Sequence, residues 1–296
     1  MHKDEKGMTA PRRFTSVEAR LDAAAHAVLA RLPATGWSGA LVEFVVFGIK
    51  QGWAALFGGA LLGLLILTRL GWFEAMPLAR YDFLFLAALA LQAAMLGFKL
   101  ETWSEARVIL IFHIVGTLME LFKTAAGSWT YPDPAFFHLG GVPLFSGFMY
   151  AAVGSYMARI NRIFDIRLNN YPPRWLCVGL AVLIYANFFS HHFLPDMRYG
   201  LFAAAFIIFF RASMHYRVYR SWHRMPLLVA FLLVTFFIWI AENIGTLTRT
   251  WVYPHSYAAW LPVGPDKFGA WFLLMIISVV LVTLVHPPRR LEPEQY

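Results

Sequence analysis

The feature that most limits the fold is a series of long apolar runs almost free of charge, of which Phe268 to Val285 is the cleanest. A bilayer core is about 30 Å thick and takes roughly 20 apolar residues of helix to cross. The chain is 59% apolar and only 14% charged, against about 25% charged in ordinary soluble domains. The expected class is therefore an all-α, polytopic membrane protein. Eight spans are expected, near Gln51–Thr68, Phe83–Phe98, Val108–Ala126, Leu139–Ala158, Trp175–Phe189, Tyr199–Phe210, Met225–Thr246 and Phe268–Val285. Asn187, Ser190, His191 and His192 interrupt the apolar pattern where the fifth span meets the sixth.

A second constraint is an internal repeat. The stretch Glu120 to Gly147 returns as Glu242 to Gly269, without a gap. Glu120, Thr124, Trp129, Tyr131, Pro132, Leu139, Pro143 and Gly147 fall on Glu242, Thr246, Trp251, Tyr253, Pro254, Leu261, Pro265 and Gly269. One long fixed offset linking these residue types reads as an ancient duplication. An offset of four spans gives both halves the same orientation, a 4+4 bundle about an axis along the membrane normal.

Charge placement supplies the orientation. With Lys50 set aside, eighteen Lys and Arg fall on one side of the eight spans and six on the other, so the richer side is cytoplasmic and both termini lie inside. The expected location is the bacterial cytoplasmic (inner) membrane, multi-pass. The net charge of +8 thus belongs to membrane orientation rather than to nucleic acid. Residues 1–40 are expected to be a cytoplasmic segment, disordered over 1–14 and then an amphipathic helix opened by the capping box Thr15-x-x-Glu18. That helix lies either on the membrane surface or on the protein's own loops. The first repeat covers 41–160, the second 161–286 and a cytoplasmic tail 287–296. The polar first residues lack an apolar core of the signal-peptide kind. Cys177 is the one cysteine, which excludes an internal disulfide, a cysteine zinc site and an iron–sulfur cluster.

Glu120 and Glu242 are the residues to watch, because each lies about two turns inside the end of its helix. A carboxylate at that depth is costly and usually faces the bundle interior, so it marks a functional site or a packing hydrogen bond. As functional groups the two would be catalytic acids or bases. His113, Thr117, Glu120 and Thr124 share one helical face, and Lys123 is three residues beyond Glu120, within pairing reach. His113 and Lys123 are expected to tune that charge. The second copy has Thr235 and Gly245 at their places. Trp129, Tyr131, Trp251 and Tyr253, with Thr124 and Thr246, are the candidate substrate-binding residues; the aromatics read equally as an interfacial belt. Asp133, Asp266, His138 and His255 would form the rim. Gly58, Gly59 and Gly63 read as close helix packing. The ten histidines do not converge on a ligand set, so neither a metal nor a cofactor is expected.

Three segments carry a resemblance: F-G-I-K-Q-G-W-A-A-L-F-G-G from Phe47, M-E-L-F-K-T-A-A-G-S-W-T-Y-P from Met119, and G-V-P-L-F-S-G-F-M-Y-A-A-V-G-S-Y from Gly141. On these the chain resembles the bacterial membrane family known as domain of unknown function 817, across about residues 40–288. The resemblance implies fold and location. More loosely, an intramembrane Glu followed by Gly-x-Trp, a loop and a Pro, present twice, is similar to the membrane lycopene cyclases and carotenoid hydratases, whose carboxylates protonate a polyene. This chain has Arg249-Thr250-Trp251 in its second copy and no paired acidic residues after Pro143 or Pro265. What the likeness implies is accordingly an isoprenoid-type membrane enzyme with Glu120 as acid or base and Glu242 as its counterpart. Its partners would be membrane lipid and an apolar small molecule. A proton-coupled small-solute transporter and a non-catalytic membrane scaffold are the alternative readings.

Overall fold

The computed structural model describes residues 15–30, 36–71 and 77–291. The segment 1–14, expected to be disordered, and the last five residues of the tail lie outside the described residues.

The capping box forms as the sequence predicts. Thr15 N donates to Glu18 Oε2 (3.0 Å) and Glu18 N to Thr15 Oγ1 (3.3 Å), opening α1 (Ser16–Leu29). Glu18 then turns inward, accepts from Trp53 Nε1 (3.1 Å) and meets Arg162. Helix α1 is thereby joined to α2 (Gly36–Ala54) through Trp53 and to α6 (Ser146–Ile163) through Arg162.

Helices α2 (Gly36–Ala54) and α3 (Leu56–Arg69) meet at 67°. At the break, the Trp53 carbonyl accepts from Arg159 Nη1 (3.1 Å), and a side-chain donor entering the helix ladder is a known cause of kinking. Among the described residues seven more α-helices follow: α4 (Arg80–Gly97), α5 (Trp103–Ala125), α6 (Ser146–Ile163), α7 (Arg174–Ser190), α8 (Arg198–Phe209), α9 (Leu227–Leu247) and α10 (Pro265–Val285). Of these, α4, α5, α9 and α10 are long and apolar enough to cross a bilayer, and the bent pair α2–α3 makes a fifth candidate. They mark a membrane protein, and their outer faces fit lipid: Leu110, Ile114 and Leu118 on α5 are more than half or about half exposed, as are Leu233 and Phe237 on α9.

Several sequence-based expectations need correction. The body is mostly helical, as expected, with two small β elements added to it among the described residues. A three-stranded antiparallel sheet, ordered β3 (Arg167–Asn169), β4 (Ser213–Arg217), β5 (Trp222–Pro226), closes one end of the bundle. A two-residue hairpin, β1 (His138–Leu139) with β2 (Val142–Pro143), occupies the other end. This hairpin takes the first residues assigned to the fourth span, because Gly140 and Gly141 turn the chain at φ +54° and +79°. Helices α7 and α8 have only 17 and 12 residues, about 26 and 18 Å at 1.5 Å per residue. Of the three glycines expected to pack, only Gly58 meets a neighbour, Ala152 Cβ at 3.5 Å; Gly59 and Gly63 face open space.

Helices α5 and α6 interlock through other glycines. A Cβ at Gly116 would sit 2.5 Å from the Tyr150 ring, at Gly147 2.5 Å from Thr117, and at Gly154 2.8 Å from Phe112. In lipid, where apolar burial gives little drive, small residues bring helices together through van der Waals contact. Helix α10 is the other centre, packing Leu273, Ile276 and Val280 against Phe112, Ile184, Phe209 and Phe231 from four further helices.

The two ends of the bundle are chemically distinct. At the sheet end, Arg159 pairs with Glu101 (2.9 Å) and Arg162 with Glu105 (3.0 Å). Both arginines belong to the eighteen basic residues counted on the richer side, and they lie in the last turns of α6, internally paired. At the loop end, the N-terminus of α4 fastens both interhelical loops. Asp82 accepts from Phe136 N and Phe137 N (2.8 Å for the latter), Arg80 pairs with Asp133 (3.1 Å), and Tyr81 OH donates to Thr250 O (2.8 Å).

Candidate functional site

Helix α5 ends in a glycine-capped turn. Gly127, at φ +72°, donates to Thr124 O (3.0 Å), and Ser128 N donates to Lys123 O (2.9 Å). Helix α9 ends the same way with Arg249 at φ +52°: Arg249 N reaches Thr246 O (3.0 Å) and Thr250 N reaches Gly245 O (2.9 Å). This reversal, which usually places glycine in the left-handed position, folds the following residues back over the last helical turns. The sequence difference Gly127 against Arg249 thus falls on one cap position.

Beyond the caps the two loops pair with each other. Thr130 N donates to Val252 O (3.0 Å) and Val252 N to Thr130 O (2.9 Å), an antiparallel bridge between equivalent residues. Because side chains alternate along an extended strand, Trp129 and Tyr131 share one side of it, and so do Trp251 and Tyr253. Each set reaches its own glutamate. Trp129 Nε1 (2.8 Å) and Tyr131 OH (2.6 Å) donate to Glu120 Oε2. Trp251 Nε1 (3.1 Å) and Tyr253 OH donate to Glu242 Oε1. Burial first, and then the adjacent carboxylate, hold both phenols well above their usual value near 10, so they stay protonated and act as donors.

The glutamates differ in their second oxygen. Glu120 Oε1 accepts from Tyr150 OH (2.6 Å), whereas Glu242 Oε2 has no hydrogen bond to any described residue. Both glutamates line a single cavity of about 970 Å³, together with Trp129, Trp251 and Tyr253. Its walls follow α10 from Lys267 to His286, a path of about 28 Å at 1.5 Å per residue. Phe44, Leu233 and Phe237 belong to both the lining and the exposed outer surface, so the cavity reaches the surface beside α2 and α9.

The family described as "Protein of unknown function (DUF817)" matches residues 43–279. The chain belongs to that family. It is 38% identical over 254 residues to the uncharacterised protein YoaT of Bacillus subtilis (strain 168), a match covering 86% of this chain and 96% of the relative. No solved structure matches. All the elements described above from the middle of α2 to the last turns of α10 lie inside the family match.

The remaining candidate residues are scattered. Lys123 does not pair with Glu120. It lines the cavity but turns to His192 Nε2 (2.9 Å) and His191 Nε2 (3.3 Å). Desolvation, and then the Lys123 charge, lower the His192 pKa from its usual value, which suits a neutral ring accepting from lysine. His113 packs on Phe148, ring centres 4.6 Å apart, away from the cavity. Thr124 and Thr246 also lie outside the lining, Thr246 donating to the Glu242 carbonyl (3.2 Å). Tyr131 touches Glu120 but not the cavity. Among the described residues no three His, Cys, Asp or Glu side chains come together as metal ligands.

Two residues that sequence reasoning passed over belong to the site. Tyr150 completes Glu120, yet it matches Phe272 in the second copy, so the repeat gave no signal for it. Lys267, which matches Phe145, lies 4.3 Å from the Tyr253 ring centre and 5.5 Å from that of Trp129.

One glycine in this site has a measurable role. A Cβ at Gly245 would fall 1.9 Å from the Trp251 ring. Gly245→Ala is expected to cost about 1–3 kcal/mol through overpacking and to move Trp251 off Glu242. A lower unfolding midpoint with shifted tryptophan emission is the expected readout; unchanged values would show that the ring is not seated on the helix.

Proposed function

We propose that this protein is a membrane-embedded enzyme that moves a proton on a lipid-like substrate of isoprenoid type, with Glu242 as the acid–base group. The observation carrying this reading is that one Glu242 oxygen is pinned by Trp251 and Tyr253 while the other is left for the cavity. A group held in one rotamer with a reactive atom toward an apolar chamber that reaches the surface suits general acid–base chemistry. Glu120, with both oxygens engaged, holds the paired loops in place. A proton passed from Glu242 to a substrate double bond, and a different proton returned to the same oxygen, would isomerise or cyclise the substrate without a cofactor. Of the four candidate substrate-binding aromatics, Tyr131 lies outside the cavity and Tyr253 and Trp129 already face Lys267, which leaves the Trp251 ring to stabilise a developing cation.

We further propose that α3–α6 and α7–α10 are two repeats in a bacterial inner membrane, with eight helices running alternately and both termini cytoplasmic. In support, an offset of 122 residues, the distance from Glu120 to Glu242, carries α5 and α6 closely onto α9 and α10.

The test is a comparison of extracted lipids and pigments from cells with the wild-type gene, cells lacking it and cells carrying Glu242→Gln. One species is expected to accumulate in both altered strains. Identical profiles in all three would remove the enzyme reading. A second reading, a proton-coupled transporter, is favoured by the extent of the cavity along α10. Proton-driven solute uptake in proteoliposomes, lost in Glu242→Gln, would establish it instead.

A further inference from the structure

The loop end of the cavity has a chemistry that an apolar substrate alone does not explain. Lys123 is 4% exposed and, among the described residues, has no carboxylate within ion-pair distance. Its Nζ is met by two histidine nitrogens, and it stands 4.2 Å from the Phe188 ring centre. Lys267 and Arg198, both cationic, and Asp196, which is paired with Arg198, are the other charges near it. Lys123, Lys267, Arg198 and His191 all line the same cavity, beside the donors Ser128 and Asn187. Of the acids nearby, Asp196 is tied to Arg198 (2.9 Å), Glu120 is filled by its aromatic donors, and Glu242 and Asp266 act on Lys267, so Lys123 is the cation of this group left without one.

A buried cation without a counter-charge is costly, and it is relieved when an anion enters its reach. Below this cationic end the lining turns apolar, with Met149, Val153, Phe231, Val234, Leu274 and Val279. From this juxtaposition we infer that the cavity takes an amphiphile with a phosphate head, seated among Lys123, Lys267 and Arg198, and an apolar tail lying along α9 and α10. This rests on the lipid-like substrate proposed above and names its head group. Lysine and arginine are the side chains suited to phosphate, the arginine through its two-pronged donors. The head would sit at the same end as Glu242, which places the first carbons of the tail at the acid–base oxygen.

Equilibrium binding to the full chain in nanodiscs tests the inference, with farnesyl monophosphate, farnesol and inorganic phosphate as probes. Farnesyl monophosphate is expected to bind at least tenfold more tightly than farnesol, and inorganic phosphate not to compete at millimolar concentration. Lys123→Gln is expected to weaken farnesyl monophosphate at least tenfold and to leave farnesol unchanged. If Lys123→Gln does not fold, Lys267→Gln is expected to give the same selective loss. Equal binding of farnesol and its phosphate would overturn the head-group assignment while leaving the lipid-like substrate intact. Inorganic phosphate competing as strongly as the farnesyl ester would make this a free-phosphate site. Binding of none of the three would remove both the head group and the underlying reading.

Discussion

Glu242→Gln is expected to fold normally and to lower turnover by about 10²–10⁴-fold, the usual contribution of one general acid–base group. The prediction is specific because of how the carboxylate is held. The amide oxygen can take the place of Oε1 and still accept from Trp251 Nε1 and Tyr253 OH. The amide nitrogen then replaces only Oε2, the atom left for the cavity. Structure is preserved and proton exchange is lost. Glu120→Gln serves as the contrast. Its amide oxygen would accept from Trp129 and Tyr131, and its nitrogen could donate to Tyr150, whose hydroxyl both gives and accepts. A loss of less than tenfold is expected there. The readout is conversion of whichever species accumulates in cells lacking the gene. The reverse ranking, with Glu120→Gln inactive and Glu242→Gln active, would exchange the two roles.

The largest stability effect is expected at the opposite end. Arg159 and Glu101 are fully buried, and their pair is extended by Ser155 Oγ (2.7 Å) and Gln92 Nε2 (2.6 Å) on Glu101 and by the Trp53 carbonyl on Arg159. Removing one member leaves the other charge without its partner, which costs about 3–5 kcal/mol, whereas replacing both with apolar residues is often neutral. Arg159→Met is therefore expected to lower the unfolding midpoint in detergent sharply, and Arg159→Met with Glu101→Leu to recover most of the loss. Because Arg159 also holds the carbonyl at the α2–α3 break, the double variant is expected to loosen that bend, read as faster proteolysis near Ala55. A double variant as unstable as the single one would show that the carbonyl contact matters more than the charge pair.

The cavity and the buried pair show how far each line of reasoning reached. The capping box at Thr15, the apolar spans around α5, α9 and α10, and the equivalence of Glu120 with Glu242 were all legible in the residues, because each depends on neighbours close in sequence or on a fixed offset. The β4–β5 hairpin left a trace, the alternation of Met214, Tyr216 and Val218 with His215 and Arg217. Short period-two patterns of this kind are weak beside long apolar runs. Charge counting places Arg159 and Arg162 only by side; that both are paired inside the bundle with Glu101 and Glu105 depends on residues more than fifty positions away.

The sequence by itself determined that there would be two buried acids, each nine residues before a Trp and eleven before a Tyr, near the ends of two apolar helices. Only the tertiary structure decided that the loops pair through Thr130 and Val252, that both acids line one chamber, and that Tyr150 closes one of them while the other stays open. The physical reason is distance along the chain. Helix ends and spans are set by local hydrogen bonding and transfer from water, which a stretch of twenty residues contains in full. Which oxygen is left free depends on side chains brought together from four helices, and no local pattern encodes that meeting.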